Sequence, residues 1–373
     1  MDQTHQNKEP QVSFAISFLS RKNPRNPHYN LPLLVLNYFF LFVGSLSSCL
    51  LSKYYFIHKG SSIWVSTWVQ CAGFPFLFLP IFLPYLLKCS TRKPFSHFTL
   101  KIFTLSILIG FLLGLNNFLF SWGNYYLPVS TSSLLLSSQL AFNLILSVLL
   151  VKQRITFNNL NCVILIVISS VLLALESSHD KPEDISKTKY LLGFFCSIGA
   201  GLLFALYLPL MEIIYKKVYC YAMVMEMQMV MEFGATLLAT IGMVRESLVF
   251  DKGPRDYYTT VCFNVVTWQL CFIGTAGMVF LTSSLTGGIC MTALMAMNVV
   301  GGVFVYGDAF GGVKIVSTLL SSWGFASYVF GLYIKMKLER KEEDKRNNNI
   351  NTNENNNSRN NDVEMVIIDN DRV

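Results

Sequence analysis

Long apolar stretches separated by short polar segments dominate the pattern of this chain. A membrane-spanning helix needs about 20 mostly apolar residues. Five stretches without Asp, Glu, Lys or Arg each have room for one such helix: 26–52, 60–87, 155–175, 190–211 and 315–334. Two longer stretches, 102–151 and 257–307, each have room for two, with turns near Gly123 to Pro128 and at Gly287-Gly288. Segment 223–244 is the tenth, and acidic residues lie in its interior.

Composition places the chain among membrane proteins. Hydrophobic residues make up 53% of the 373 residues and charged residues 14%, whereas a soluble domain has about 25% charged residues. A disordered chain would need low hydrophobicity and high charge, and a soluble multidomain enzyme could not bury this much apolar surface. The sequence therefore predicts an all-α integral membrane protein with ten transmembrane helices.

The distribution of positive charge predicts the orientation. The formal net charge is +7, but the basic residues form short clusters that flank the apolar stretches, which is typical of topology signals and not of a nucleic-acid partner. If the N-terminal side is cytoplasmic, 20 of the 29 Lys and Arg residues fall on the inner side. Positive-inside bias then places both termini in the cytoplasm, most simply at the plasma membrane.

The ten predicted helices divide into two halves of five. Because five is odd, the halves begin on opposite sides of the membrane, so a repeat would be inverted, as in many transporters. A shift of about 155 residues, estimated from the helix pattern, places Asn143 on Asn298. The segments are a cytoplasmic N-terminal tail (1–30), the first half (31–175), an outer connecting loop (176–189), the second half (190–337) and an Asn-rich cytoplasmic tail (338–373) that is predicted to be disordered.

Several polar motifs within the predicted helices are distinctive. The longest are LPVSTSSLL at 127–135 and SQLAF at 138–142, and shorter ones are EMQ at 226–228, SSL at 283–285 and WGFASY at 323–328. In these motifs the chain resembles the plant purine permease family, from about residue 31 to 337. The resemblance implies a drug/metabolite-transporter fold and proton-coupled uptake of adenine, cytokinins and related bases or alkaloids. Ala296 and Val299 stand where the family has a Pro and a carboxylate, which leaves the choice of substrate open.

Amides and aromatic rings within the predicted helices are the candidate substrate contacts. A carboxamide has both a donor and an acceptor, which matches the edge of a purine, and an aromatic ring can stack on a base. The alternative is that the amides join helices to each other. The candidate residues are Asn116, Asn117, Trp122, Gln139, Asn143, Gln228, Trp268, Gln269 and Asn298.

Acidic residues in the segment 223–244 are the candidates for proton coupling. Ionisable groups within membrane spans are costly and usually functional, and no predicted span has a His, Lys or Arg in its interior. Glu226 is therefore predicted to carry the coupled proton, with Glu232 assisting it, although either acid could instead pair with a Ser, Tyr or backbone group of a neighbouring helix. Glu212 lies one turn before Lys216, which predicts an ion pair at the membrane interface.

The predicted function is secondary active transport of a purine-like substrate together with protons. Uptake of alkaloids or other planar N-heterocycles is the main alternative. A nucleotide-sugar-type exchanger is a weaker alternative, because it would need buried Lys or Arg residues to bind its anionic substrate. A membrane receptor is another weaker alternative. The nine cysteines include no Cys-x-x-Cys pair and the five histidines lie in tails, loops or span edges, so neither an enzyme nor a metal site or cofactor is predicted. The sequence leaves the oligomeric state undefined.

Overall fold

The computed structural model describes residues 31–58, 60, 62–87, 92–96, 98–127, 132, 135–136, 138–153, 157–177, 186–218, 220–244, 253–306, 311–313, 315–331, 333–334, 337–338 and 341. The predicted tail 1–30, nearly all of the tail 338–373, most of the loop 176–189 and much of the motif 127–135 lie outside these residues. So do the side chains of Ala296 and Val299.

The described secondary structure is helical, with no β-strand in the described residues. In chain order the helices are α1 (Leu31–Ile57), α2 (Ile63–Cys71), α3 (Phe78–Leu86), α4 (Leu100–Tyr126), α5 (Gln139–Val151), α6 (Phe157–Ser177), α7 (Lys187–Tyr215), α8 (Tyr221–Met243), α9 (Pro254–Leu281), α10 (Ser284–Tyr306) and α11 (Ile315–Gly331). A 3₁₀ turn, Phe74–Leu77, joins α2 to α3.

The helix lengths fit a bilayer. Within the described residues, seven helical segments are long and apolar enough to cross a membrane, with α2 and α3 counted as one. The other three predicted spans contain α5, α6 and α11, whose described apolar stretches are shorter. The predicted class, an all-α integral membrane protein, is confirmed.

Two local features differ from the sequence-based expectation. The stretch 60–87 is not one regular helix, because Pro75 lacks the N–H that an α-helix interior needs and a 3₁₀ turn follows Gly73. The predicted turn at Gly287-Gly288 is wrong, since α9 ends at Leu281 and both glycines lie within α10. The turn occurs earlier because a carboxylate oxygen of Glu212 accepts hydrogen bonds from the backbone N–H and hydroxyl of Ser284, at 2.7 and 2.6 Å, and so caps α10.

Small residues allow the central helices to approach closely, as is common in membranes. A Cβ atom at Gly44 of α1 would collide with the backbone of Cys271 in α9, and one at Gly274 would collide with the backbone of Leu41. Gly110 of α4 makes the same kind of contact with α8. These approaches bring α1 close to α9 and α4 close to α8.

By contacts the chain divides into two compact units, Met1–Ala326 and Ser327–Val373. The second unit has helical backbone at 327–331. All sites described below lie within the first unit.

Candidate substrate cavity

A cavity lies where α1, α2, α4, α5, α7, α9 and α10 meet. Its empty space, with the solvent-open mouth included, is about 540 Å³. Its lining consists of Ser45, Ser48, Cys49, Gln70, Asn116, Asn117, Phe120, Leu136, Gln139, Phe204, Trp268, Cys271, Phe272, Met291 and Met295. None of these lining residues is a Lys, Arg, His, Asp or Glu.

One wall of the cavity is a hydrogen-bonded group of amides from α2 and α4. The Nδ2 of Asn116 donates to Asn117 Oδ1 at 3.1 Å, and Asn117 Nδ2 donates to the Sγ of Cys71 at 3.0 Å. Gln70 Nε2 donates to Ser121 Oγ, also at 3.0 Å. Because the bonds of Asn117 and Gln70 join α4 to α2, they hold the amide groups in fixed positions at the cavity.

Aromatic rings form a second wall. The Trp268 ring of α9 stacks with Phe272 at a centroid distance of 5.9 Å and an interplanar angle of 30°. Phe120 of α4 meets Trp268 edge-on at 5.8 Å. The Nε1 of Trp268 donates to Ser52 Oγ at 3.4 Å, which fixes the tilt of the ring. A flat apolar surface of this kind can stack on a heterocyclic base.

Gln139 faces the same cavity from the beginning of α5. It is buried, and its Nε2 makes one long hydrogen bond, 3.4 Å, to Thr292 Oγ1 of α10. The structure thus brings four of the predicted substrate residues together: Asn116, Asn117, Gln139 and Trp268. No pattern in the sequence shows that these three amides and Trp268 meet at one cavity.

The other predicted substrate residues lie elsewhere. Asn143 is fully buried between α5 and α10, where its Nδ2 donates to the carbonyl of Ser284 at 3.1 Å. Trp122 packs in an aromatic cluster with Phe118 and Tyr126. Asn298 is buried in α10 and neither of its amide atoms has a hydrogen-bond partner among the described residues.

The two remaining amides surround Glu232 in α8. Its Oε1 accepts hydrogen bonds from Gln228 Nε2 at 2.9 Å and from Gln269 Nε2 at 3.4 Å. The Oε1 of Gln228 in turn accepts from the hydroxyls of Tyr207 and Tyr215 of α7. Glu232 is completely buried, so these two predicted substrate residues are placed to orient an acid.

Glu226, the other predicted proton-coupling residue, is held by an arginine. Arg92, in the segment between α3 and α4, contacts Glu226 Oε2 through Nη2 at 2.9 Å and donates to Cys220 Sγ through Nη1 at 3.0 Å. Glu226 is buried and Arg92 is mostly buried. The predicted ion pair between Glu212 and Lys216 is also present, at 3.4 Å. The sequence pattern indicated the second pair and missed the first.

Comparison with known proteins identifies the family. A family model for purine nucleobase transmembrane transport matches residues 32–338. The chain belongs to the purine permease family. "Probable purine permease 4" of Arabidopsis thaliana is 64% identical over 299 residues, which cover 77% of this chain and 78% of that protein. "Purine permease 3" of the same plant is 33% identical, covering 80% of this chain and 90% of that protein.

A protein with low sequence identity to this chain shares its fold. A solved crystal structure matches with a TM-score of 0.55 at 12% identity, covering 77% of this chain and 95% of the other; at this identity the likeness concerns the fold alone. As a purine permease, the chain is a multi-pass membrane transporter of purines and not an enzyme. The resemblance stated from the sequence motifs is confirmed.

Replacing Gln139 by Leu is expected to weaken apparent affinity for a purine base. Leucine has similar bulk but no amide, so a donor or acceptor of the bound base loses its partner, at a cost of about 1–3 kcal/mol, or roughly ten- to hundredfold in affinity. The measurement is concentration-dependent uptake by cells with equal amounts of protein at the membrane. Asn143→Leu is the control variant, because Asn143 follows Gln139 by one turn of α5 and does not line the cavity. An unchanged half-saturating concentration in Gln139→Leu would assign Gln139 a structural role.

Proposed function

We propose that the protein is a secondary active transporter that takes up purine nucleobases and derivatives such as adenine and cytokinins together with protons. The observation that carries this proposal is the cavity, whose lining combines amides with aromatic rings and contains no charged side chain. The cavity is the proposed substrate site, and the drug/metabolite-transporter fold with ten transmembrane helices is the proposed scaffold.

The chemistry of the cavity favours a neutral, flat and polar-edged solute. Asn116, Asn117 and Gln139 offer donors and acceptors to the edge of a base, while Trp268 offers its face. A phosphorylated nucleotide or nucleotide sugar would place charges where the lining residues provide no cation. Planar alkaloids and other N-heterocycles share the shape of purines and remain the alternative substrate class.

The packing of the helices supports an inverted repeat. If the halves are equivalent, α1 corresponds to α7 and α4 corresponds to α9. The two most extensive helix contacts are α1 with α9 and α4 with α7. Swapping the two halves turns the first of these pairs into the second. The pairs α5 with α10, and α6 with α11 (in contact through Ser169 and Ser317), are unchanged by the same swap. We therefore propose two inverted five-helix halves, 31–175 and 190–337, which frame the cavity as alternating-access transporters do.

The positive-inside charge distribution supports cytoplasmic termini at the plasma membrane. Arg92, Lys216 and Lys152 then lie on the cytoplasmic side, as does Glu226 near the start of α8. A protease added outside intact cells should leave the Asn-rich C-terminal tail on the protein. Loss of that tail under these conditions would show that the proposed orientation is wrong.

The substrate class is tested by competition for uptake. Cells that produce the protein should accumulate labelled adenine, and an excess of unlabelled adenine or cytokinin should reduce that uptake. Adenosine monophosphate, which has the same base and a phosphate, should not compete, because the cavity lining has no cation to receive the phosphate. Stronger competition by a planar alkaloid than by any purine would favour the alternative, and competition by the nucleotide would contradict an uncharged substrate site.

A further inference from the structure

The two acids of α8 have opposite surroundings. Glu226 lies near the beginning of the helix and contacts the Arg92 guanidinium at 2.9 Å. Glu232 lies about 16 Å from Tyr221, at roughly 1.5 Å per residue along the helix, and its side chain is fully buried. Among the described residues, no Lys, Arg or His forms an ion pair with Glu232 or compensates the negative charge of its carboxylate.

The hydrogen bonds around Glu232 distinguish its two oxygens. Oε1 accepts from the amide nitrogens of Gln228 and Gln269, whereas Oε2 is buried and has no hydrogen-bond partner among the described residues. Two donors directed at Oε1 keep that oxygen an acceptor. A proton on this carboxyl group would therefore reside on Oε2.

Among the described residues, the neighbouring helices place no positive charge beside Glu232. The titratable groups that face Glu232 are the thiol of Cys71 from α2 and the phenols of Tyr207 and Tyr215 from α7. From α9, Gln269 contributes a neutral amide. An unpaired carboxylate in such surroundings is costly, and taking up a proton removes that cost.

We propose that Glu232, and not Glu226, carries the coupled proton, on its Oε2. This inference rests on the proposed proton-driven uptake and names the group that performs it. Protonation forms the O–H bond at Oε2 with a proton from the outer solution, and release of the same proton to the inner solution restores the carboxylate. The acid is neutral while the loaded carrier reorients. The empty carrier returns with the carboxylate deprotonated and hydrogen-bonded by Gln228 and Gln269, so the proton moves inward together with the substrate. Glu226 keeps its contact with Arg92 throughout.

Glu232 is connected to the substrate cavity through residues that adjoin its lining. Gln269, which donates to it, follows Trp268 of the aromatic wall in sequence. Cys71, which faces it, accepts a hydrogen bond from Asn117 of the amide wall. A change in charge at Glu232 therefore acts on one residue beside each wall, which is the physical link that coupling between proton and substrate needs.

Gly73 allows Gln269 to reach Glu232. A Cβ atom at position 73 would lie 2.6 Å from Gln269 Oε1 and 2.8 Å from Gln269 Cβ. Gly73→Ala would therefore displace Gln269 and remove one of the two donors to the carboxylate. Because those donors stabilise the charged form, we expect this variant to retain proton-driven uptake with its pH midpoint shifted upward, whereas a merely structural Gly73 would not move the midpoint.

The test uses the full chain in proteoliposomes with labelled adenine and two assays. Exchange of internal for external adenine needs no net proton movement, whereas accumulation is driven by an imposed pH gradient, acidic outside. Glu232→Gln should keep exchange within about threefold of wild type and make it independent of pH, while accumulation is lost. The exposed acid Asp256 provides the matched control, Asp256→Asn, which should accumulate adenine as wild type does. The double variant Arg92→Gln/Glu226→Gln should also accumulate adenine.

Each outcome decides the assignment. Accumulation by Glu232→Gln at the wild-type level, or its loss in the folded double variant, would overturn it. If Glu232→Gln shows no exchange, Glu232→Asp decides: accumulation with a shifted pH midpoint supports the assignment, and an unshifted midpoint contradicts it. If wild type itself does not accumulate adenine under the gradient, the proposed function fails instead.

Discussion

Replacing Glu226 by Gln should lower the stability of the protein by about 3 kcal/mol, because removing one partner of a buried ion pair leaves the other charge uncompensated. Arg92 remains mostly buried, and the Gln amide cannot replace the carboxylate that it contacts at 2.9 Å. Arg92→Gln should be destabilising by a similar amount for the same reason. The measurement is thermal unfolding of detergent-solubilised protein.

Removing both charges should cost less stability than the sum of the two single losses. In Arg92→Gln/Glu226→Gln two amides replace the ions, so no buried charge remains unpaired. The single-variant losses should therefore not add, with a coupling of about 1–3 kcal/mol in the double-mutant cycle. Losses that simply add would show that Arg92 and Glu226 stabilise the protein independently of each other.

Gly110→Val should cause the largest loss of folded protein. The Cβ position of residue 110 in α4 collides with the carbonyl oxygen of Met231 in α8 and lies 3.0 Å from two of its other backbone atoms. Backbone atoms of a packed helix cannot rotate away as a side chain can, so α4 and α8 must separate. Overpacking costs about 1–3 kcal/mol where side chains adjust, and we expect the upper end or more here.

The measurement is the amount of protein at the membrane and its thermal midpoint. Gly253→Ala is the control, because a Cβ there meets nothing within 4 Å. The displaced segment includes Met231, next to Glu232, so any Gly110→Val protein that folds should also show impaired proton-driven uptake. Wild-type abundance and midpoint in Gly110→Val would mean that the close approach of α4 and α8 is not required.

The membrane class and the presence of acids within α8 can be predicted from sequence because both are local properties. A long apolar stretch indicates a membrane helix by itself, and an acid within it is conspicuous by itself. The pair of Glu212 with Lys216 is likewise predictable from a spacing of four residues. In contrast, Arg92 and Glu226 are far apart in sequence, and no pattern in either segment indicates that they meet.

The residues that line the cavity could likewise not be predicted from the sequence. Asn116, Asn117, Gln139 and Trp268 were candidates, but so were Gln228 and Gln269, which instead bind Glu232. Which amide faces the cavity and which faces the acid depends on the rotation of each helix against its neighbours, set by contacts such as Gly44 with α9. Phe120, Phe272 and Met291 also line the cavity, and in sequence they are indistinguishable from lipid-facing residues.

The most direct test of proton-driven purine uptake is the accumulation of labelled adenine by proteoliposomes that contain only this protein. With the outside acidic, the internal concentration should rise above the external concentration, and a protonophore should reduce it to equality. Without the gradient, the label should only equilibrate. Internal adenine that never exceeds the external concentration, with a verified pH gradient and protein that still exchanges adenine, would contradict proton coupling.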